Sequence, residues 1–161
     1  MRSHHRPAPA PHPEAARPTD PNPAGEFANA VKRGTNGSST EKGLAAMNAA
    51  LSPPLATDPA LNGGFLRPDA KLAVVVVSDE DDQSAGTIHF YIDFLKSLKG
   101  QYNAGLVSFS AIVGAPPPAT NSSGSNGCSS SNGDAVSGDR YIAVQQATGG
   151  SSLTLANAAI A

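Results

Sequence analysis

The sequence predicts an α/β fold, a partial Rossmann-like three-layer sandwich with mainly parallel strands. Residues 72–77 carry the main observation, because their four consecutive valines are branched at Cβ and favour a strand over a helix. Apolar side chains point to both sides of this strand, which predicts that helices cover both faces of the sheet. Helix-like and strand-like segments then alternate along the chain at the spacing of right-handed parallel crossovers.

The composition limits the classes of function that the chain can serve. The chain has 161 residues, of which 39% are hydrophobic, and its formal net charge of −2 does not favour binding to nucleic acid or to an anionic membrane. No apolar run approaches the roughly 20 residues that span a bilayer. No hydrophobic region of a signal peptide follows Arg2 and Arg6. Cys128 is the single cysteine, which rules out an intramolecular disulfide and a multi-cysteine metal site.

The predicted domain organisation is a tail followed by one domain. Residues 1–25 are rich in proline, alanine and histidine, offer little to bury, and are expected to be disordered. Residues 26–156 form the predicted domain, with a flexible loop rich in serine, asparagine and glycine at 115–138. Three histidines are more typical of a solvated tail than of a metal site: His4, His5 and His12.

Two helical segments are predicted before the valine strand. Residues 26–33 have the length of two helical turns. Ser38 and Glu41 have the spacing of a capping box, which predicts a second helix that continues to about Leu51. Pro53 ends this helix, because proline cannot continue the hydrogen-bond ladder. Three residues at helical spacing form its predicted buried face: Leu44, Met47 and Leu51.

A connecting loop precedes the valine strand, and a third helix follows it. Residues 55–70 form the loop, in which Phe65 and Leu66 are expected to pack against the domain. The helix is predicted to start within residues 84–87 and to end near Lys99, where a basic residue suits the negative end of the helix dipole. Its predicted buried stripe consists of Ile88, Tyr91, Ile92, Leu95 and Leu98.

A second strand, a long loop, a short helix and a last strand complete the predicted domain. The second strand covers residues 106–113 and ends at a glycine followed by three prolines. Asp139 is the predicted cap of a helix over residues 140–148, and a last short strand is expected at 152–155. The inner positions of that helix are predicted to be Ile142, Val144 and Ala147.

Four consecutive acidic residues follow the valine strand at its carboxyl end: Asp79, Glu80, Asp81 and Asp82. In open α/β sheets this edge is where ligands and metals usually sit. Two interpretations stay open. Either Asp79 contacts a metal, or the cluster is a solvated loop whose carboxylates cap the next helix at its positive end.

The order of these pieces resembles the second half of a von Willebrand factor type A (VWA) domain. The resemblance covers roughly residues 27–152 and is carried by the successive segments GTNGSSTEKGLAAMNAALSPP, FLRPDAKLAVVVVSDEDDQS, DFLKSLKG, LVSFSAIVG and RYIAVQQATGG. It is closest in character to secreted and lipoprotein-type bacterial members. It implies a non-catalytic protein-binding or adhesion module at the cell surface, in the periplasm or outside the cell. A divalent cation, usually Mg²⁺, is then expected at the carboxyl edge of the sheet, where it binds a partner protein's carboxylate.

The resemblance assigns two metal ligands in this chain. Asp79 matches the family's third-loop aspartate, and Thr35 matches the second-loop threonine, with Thr40 as the rival. The family's first loop, Asp-x-Ser-x-Ser, has no counterpart in the sequence. Because Mg²⁺ demands near-octahedral oxygen ligation, a site of one carboxylate and one hydroxyl is expected to be weak or empty.

The missing first half also has a consequence for the valine strand. In the family, the first strand lies beside the strand that residues 72–77 match. Without it, the resemblance implies an exposed valine edge that invites pairing with another chain or aggregation. One hypothesis is that the chain is a truncated, non-functional fragment. Cys128 then corresponds to half of a disulfide whose second cysteine is absent.

An enzyme remains the alternative from a different class. A strand that ends in Asp79, Glu80 and Asp81 resembles the Asp-x-Asp motif of haloacid-dehalogenase-like phosphohydrolases. In that interpretation Asp79 attacks phosphate, Asp81 is the acid/base, and both help to hold Mg²⁺. The later lysine and acidic pair of those enzymes have weak counterparts here, since the candidates are Asp134 and Asp139 in or beside a loop.

Overall fold

The computed structural model of the chain describes residues 21–31, 38, 40–131 and 133–155. The chain divides into two compact units, Met1–Ser38 and Ser39–Ala161. In the first unit, α1 (Pro23–Val31) begins within the predicted tail and overlaps the predicted helix over 26–33. Residues 1–20 of that tail, with its three histidines, lie outside the described residues, as does Thr35.

The second unit contains a three-stranded parallel sheet in the order β1–β2–β5 and a separate antiparallel hairpin, β3–β4. Its elements in chain order are α2 (Gly43–Ala50), β1 (Leu72–Val77), α3 (Ile88–Ser97), a 3₁₀ turn (Ala104–Leu106), β2 (Val107–Val113), β3 (Gly127–Ser130), β4 (Gly133–Val136), α4 (Asp139–Thr148) and β5 (Ser152–Thr154). The mixed α/β class and the mainly parallel pairing are therefore confirmed. No helix among the described residues has the length and apolar character needed to cross a bilayer.

One face of the sheet carries the core, and all three helices of this unit pack against it. The core members from the helices are Leu44, Met47, Leu51, Tyr91, Leu95, Tyr141 and Val144. The core members from the strands are Leu72, Val107, Phe109, Ala111 and Val113, with Val74 and Val76 packed against them. The predicted buried face of α2 and the predicted stripe of α3 are therefore confirmed in their central positions.

The expectation that helices cover both faces of the valine strand is wrong for the described residues. Val75 and Val77 are 59% and 55% exposed, and Leu153 on β5 is 58% exposed. The register pairs Val77 with Ile112 and Ile112 with Leu153, so these side chains share one face. We call the surface formed by Ala73, Val75, Val77, Ile112 and Leu153 the open face. Four identical valines conceal this asymmetry in the sequence, because strand side chains alternate between faces.

The predicted capping box is also wrong. α2 begins at Gly43 rather than after Ser38, and Lys42 at its N-cap position makes no side-chain cap bond. The start of α3 agrees with prediction, since the hydroxyl of Thr87 accepts a hydrogen bond from the amide of Phe90 at 3.3 Å. The first amides of α2 are capped instead by residues about 40 positions later in the chain, described below.

The predicted flexible loop at 115–138 contains the β3–β4 hairpin. The hairpin pairs Gly127 with Val136 and Ser130 with Gly133, and it buries Cys128 to 8% exposure. Backbone hydrogen bonds hold this segment, which its serine- and glycine-rich sequence does not reveal. Cys128 is therefore a buried free thiol.

Two further core predictions need correction. Phe65 is 61% exposed, whereas Leu66 is partly buried against the core. In α4 the N-cap position is Gly138 rather than Asp139, and Tyr141 is a core residue that the predicted inner positions omitted. The ring of Tyr141 stacks on Phe109 of β2, with centroids 6.5 Å apart, so this tyrosine joins α4 to the sheet.

Candidate functional site

The four acidic residues lie on a loop that leaves β1 at the carboxyl edge of the sheet. We call residues 78–84 the acid loop. The structure divides its acids into two pairs, because Asp82 is buried and Asp81 half-buried, whereas Asp79 and Glu80 are exposed. The inner and outer pairs have different partners and therefore different roles.

Asp82 is the central acceptor of the inner pair. Its Oδ1 accepts hydrogen bonds from the amide of Leu44 at 3.0 Å and the hydroxyl of Ser84 at 2.7 Å. The hydroxyl of Ser84 in turn accepts from the amide of Ala45 at 2.9 Å. The first amides of a helix have no partner within the helix, so Asp82 and Ser84 together supply the missing cap of α2.

Arg140 binds the same carboxylate from the first turn of α4. Its Nε donates to Oδ2 of Asp82 at 3.0 Å, and the Asp82 side chain is completely buried. Its Nη2 donates to the carbonyl oxygens of Ser84 at 3.3 Å and Gly86 at 3.1 Å. A cation near the amino end of a helix opposes the helix dipole, so the Asp82 carboxylate offsets an otherwise unfavourable position. The ion pair thereby ties α4 to the acid loop.

Asp81 caps α4. Its Oδ1 accepts hydrogen bonds from the amides of Arg140 at 3.0 Å and Asp82 at 2.9 Å. Burial raises the pKa of the Asp81 carboxyl, against the opposing effect of these two amides. The expectation that the acids cap a helix is thus correct in kind, but the helices they cap are α2 and α4 rather than the following α3.

The hydroxyl of Tyr141 lies beside Gly43, the first residue of α2. A Cβ atom built on Gly43 would lie 2.5 Å from the tyrosine hydroxyl oxygen, so a glycine is required where α2 meets α4. Burial, with the nearby Asp82 charge, raises the pKa of Tyr141 to about 12. This hydroxyl therefore stays protonated at neutral pH and is not poised as a general base.

The outer pair, Asp79 and Glu80, contacts the protein through the backbone alone. The carbonyl of Asp79 accepts a hydrogen bond from the amide of Val136 at 2.7 Å, and the carbonyl of Glu80 accepts from the hydroxyl of Ser78 at 2.8 Å. Within the described part of the chain, neither carboxylate makes a hydrogen bond or an ion pair. The acid loop thus presents two free carboxylates on a fixed backbone.

The predicted metal site rests on Asp79 and Thr35, of which the structure describes Asp79. Across residues 21–31, 38, 40–131 and 133–155, no group of three His, Cys, Asp or Glu side chains is placed to hold a metal. The oxygens of Asp81 and Asp82 already accept from amides and a guanidinium, which leaves Asp79 and Glu80. Thr40, the rival of Thr35, is exposed. The assignment of Asp79 and Thr35 as metal ligands stays a prediction, and no step of a mechanism is derived from it.

Three of the four carboxylates that the phosphohydrolase interpretation names accept local hydrogen bonds. Asp81 accepts from two amides, and Asp139 accepts from the hydroxyl of Ser137 at 2.5 Å. Asp134 accepts from the hydroxyl of Ser122, and that bond lowers the pKa of Asp134. Asp79 is the exposed carboxylate of the predicted Asp-x-Asp pair.

Sequence reasoning missed Ser84, Arg140 and Tyr141. A usable signal existed for Arg140, because an arginine directly after a helix start is unfavourable unless an acid compensates for it. No comparable signal existed for Ser84 and Tyr141, whose partners lie 39 and about 100 positions away in the sequence.

Comparisons with protein-family models, curated proteins and solved structures return no significant match to this chain.

Proposed function

We propose that this chain is a non-catalytic, VWA-like protein-binding module that engages its partner along β1. The observation that carries the proposal is that β1 offers an unpaired edge and an apolar face at the same residues. Val75 and Val77 are more than half exposed on the open face. Apolar surface of this kind, beside unpaired backbone groups, marks a site for an added strand or a packed partner.

The unpaired edge follows from the hydrogen bonding of β1. The amide of Ser78 donates to the carbonyl of Ile112 at 3.1 Å, so even-numbered residues of β1 direct their backbone groups to β2. Alternate residues of a parallel strand bond to opposite sides, so Ala73, Val75 and Val77 direct theirs away from β2. Among the described residues, β1 pairs with β2 alone. We call these outward backbone groups the β1 edge.

The acid loop supports a binding role over a catalytic one. Its inner carboxylates are used to cap helices and to pair with Arg140, while its outer ones stand free at the carboxyl end of the β1 edge. Asp79 and Glu80 therefore add negative charge to an otherwise apolar surface, which selects partners by charge. The resemblance to secreted VWA proteins fits the same class of function and a location at the cell surface, in the periplasm or outside the cell.

Selecting extended peptides from a displayed library for binding to the purified chain tests this proposal. We expect selected peptides to protect the amides of Val75 and Val77 from hydrogen exchange. Val75→Lys should weaken their binding about tenfold or more, or about 1.4 kcal/mol. Phe90→Lys is the matched control, because Phe90 is 52% exposed but lies on α3. Peptides that bind both variants equally would contradict a site on β1.

The phosphohydrolase alternative is tested separately with a generic aryl phosphate and Mg²⁺. We expect hydrolysis to be the same for the wild type and for Asp79→Asn. Turnover by the wild type that Asp79→Asn abolishes would favour the enzyme, because this substitution removes the proposed nucleophile.

A further inference from the structure

We propose that the partner on β1 is a second copy of this chain, paired antiparallel with its own β1 edge about a two-fold axis at Val75. The inference rests on the proposed function, because it names the partner for the same surface. Four observations support it: the opposite charges at the two ends of β1, the register that they set, a cationic pocket beside the strand, and the continuity of the open face.

The two ends of β1 carry opposite charge. Arg67, Asp69 and Lys71 precede the strand and are exposed, which leaves that end with one net positive charge, whereas the exposed Asp79 and Glu80 follow the strand. Antiparallel pairing of two identical strands places the basic amino-terminal end of each β1 beside the acidic carboxyl-terminal end of the other. Both ends of the pair are then attractive, whereas parallel pairing would bring like charges together.

The register of the pair follows from the alternation of β1. With Val75 opposite Val75 of the second copy, Ala73 lies opposite Val77, and Lys71 lies opposite Asp79. Ala73, Val75 and Val77 are odd-numbered, so their outward backbone groups meet as hydrogen-bonded pairs of an antiparallel ladder. The carbonyl of Asp79 already accepts from the amide of Val136, so Lys71 and Asp79 meet through their side-chain charges. A two-fold axis at Val75 therefore pairs the outward backbone groups and also brings the opposite charges together.

A cationic pocket lies where the acidic end of the second copy arrives. The residues that line it include Phe65, Arg67, Lys71 and Lys99, beside Leu72 and Ala73 at the start of β1. Lys99 is 8% exposed, and its ammonium donates to the carbonyl of Arg67. Among the described residues, none of these three cations is paired with a carboxylate. Carboxylates of Asp79 and Glu80 from the second copy would supply the missing negative charge.

The proposed pair is a closed dimer. Each copy uses its β1 edge once, so the two sheets join into one, and the open faces of both copies become continuous. The opposite sheet edge, β5, is only three residues long, and short edge strands resist further addition. The proposal therefore predicts a dimer rather than a fibre.

Sedimentation velocity of the full chain over a range of concentrations and salt tests the proposal. We expect a dimer that dissociates as salt rises, because the end contacts are exposed charges. Two variants reverse the charge of one end each: Asp79→Lys with Glu80→Lys, and Arg67→Glu with Lys71→Glu. All four side chains are exposed, so both variants should fold like the wild type by circular dichroism. Each variant alone should be monomeric, because its self-pairing is repulsive at both ends.

An equimolar mixture of the two charge-reversed variants should dimerise again, because both ends become attractive in the mixed pair. The position of the axis is tested in the same way with Val75→Lys and Val75→Glu, since identical charges would face each other in each self-pair. We expect each to be monomeric alone and dimeric when mixed, whereas Phe90→Lys should dimerise like the wild type.

Three results would overturn the inference: a wild type that is monomeric at every concentration, assembly beyond a dimer, or variant mixtures that stay monomeric. These failures are distinct from failure of the proposed function. A monomeric chain whose β1 edge still binds selected peptides would keep the binding module and exclude the second copy as its partner. A chain that does neither would contradict both.

Discussion

The two sides of β1 use the same residue type for opposite purposes. Val74 and Val76 pack against the core formed with α2, α3 and α4, whereas Val75 and Val77 stand on the open face. The acids that follow are divided in the same way, since Asp81 and Asp82 hold helices and Asp79 and Glu80 face solvent. One strand and its loop therefore serve stability on one side and offer a surface on the other.

This difference shows that position relative to the helices, rather than residue type, decides what each side chain does. The inner acids replace caps that α2 and α4 lack in their own sequences, so they are part of the fold. The outer acids and valines contribute little to the fold, and their exposure is consistent with a binding role. Substitutions matched across the two sides should therefore separate stability from association.

The largest expected effect is at Asp82. Asp82→Ala removes the cap of Leu44 and leaves Arg140 without its buried partner, so the free energy of unfolding should fall by about 3–5 kcal/mol. Urea denaturation at concentrations where the chain is monomeric measures this change. Asp79→Ala is the matched control on the outer side, with an expected change below about 0.5 kcal/mol. Equal losses in the two variants would contradict the division of the acid loop.

The same comparison can be made with one apolar substitution at two leucines. Leu95 on α3 is fully buried, whereas Leu153 on β5 is 58% exposed on the open face. Leu95→Ala should lower the free energy of unfolding by about 2–5 kcal/mol, because it leaves a cavity in the core. Leu153→Ala should change it by less than about 0.5 kcal/mol under the same conditions. A large loss at Leu153 would mean that the open face is covered in the folded chain.

Local pattern was sufficient to predict the parallel strands and the buried stripes of α2 and α3. Residues such as Leu44, Tyr91 and Leu95 repeat at helical spacing, and that repeat reports directly on one packed face. The open side of β1 was not predictable in this way, because consecutive valines are equally apolar on both sides. The alternation of serine with apolar residues in β2 was the clue that one face is different.

The acid loop was located correctly from the sequence, but its contacts were not. Asp82 caps a helix that begins 39 residues earlier, and Arg140 reaches it from 58 residues later. Such pairs depend on how the elements pack, which spacing within one segment does not encode. The β3–β4 hairpin was missed for a related reason, since its glycine- and serine-rich strands lack β-propensity and are held by backbone bonds.

The smallest expected effect is a difference in pH dependence between Asp81, an inner acid of the acid loop, and Asp134, an exposed aspartate of β4. Burial raises the pKa of Asp81 above 3.8 in the folded chain, so the folded state holds this proton more tightly than the unfolded state. Its contribution to stability is therefore greatest below pH 3.8 and is lost as pH rises through the raised pKa. Hydrogen bonding from Ser122 lowers the pKa of Asp134, so its contribution is present above pH 3.8 and is lost as pH falls through the lowered pKa.

Unfolding free energies of Asp81→Asn and Asp134→Asn across the acidic range measure these two contributions. Relative to Asp81→Asn, the wild type should lose stability as pH rises, because an asparagine keeps an oxygen acceptor for the amides of Arg140 and Asp82 but does not titrate. Relative to Asp134→Asn, the wild type should gain stability as pH rises. The two difference curves should thus have opposite slopes, and carboxyl titration by NMR should place Asp81 above and Asp134 below 3.8. Slopes of the same sign would show that the Asp81 carboxyl is as well solvated as an exposed carboxylate, and would contradict its place in the inner pair of the acid loop.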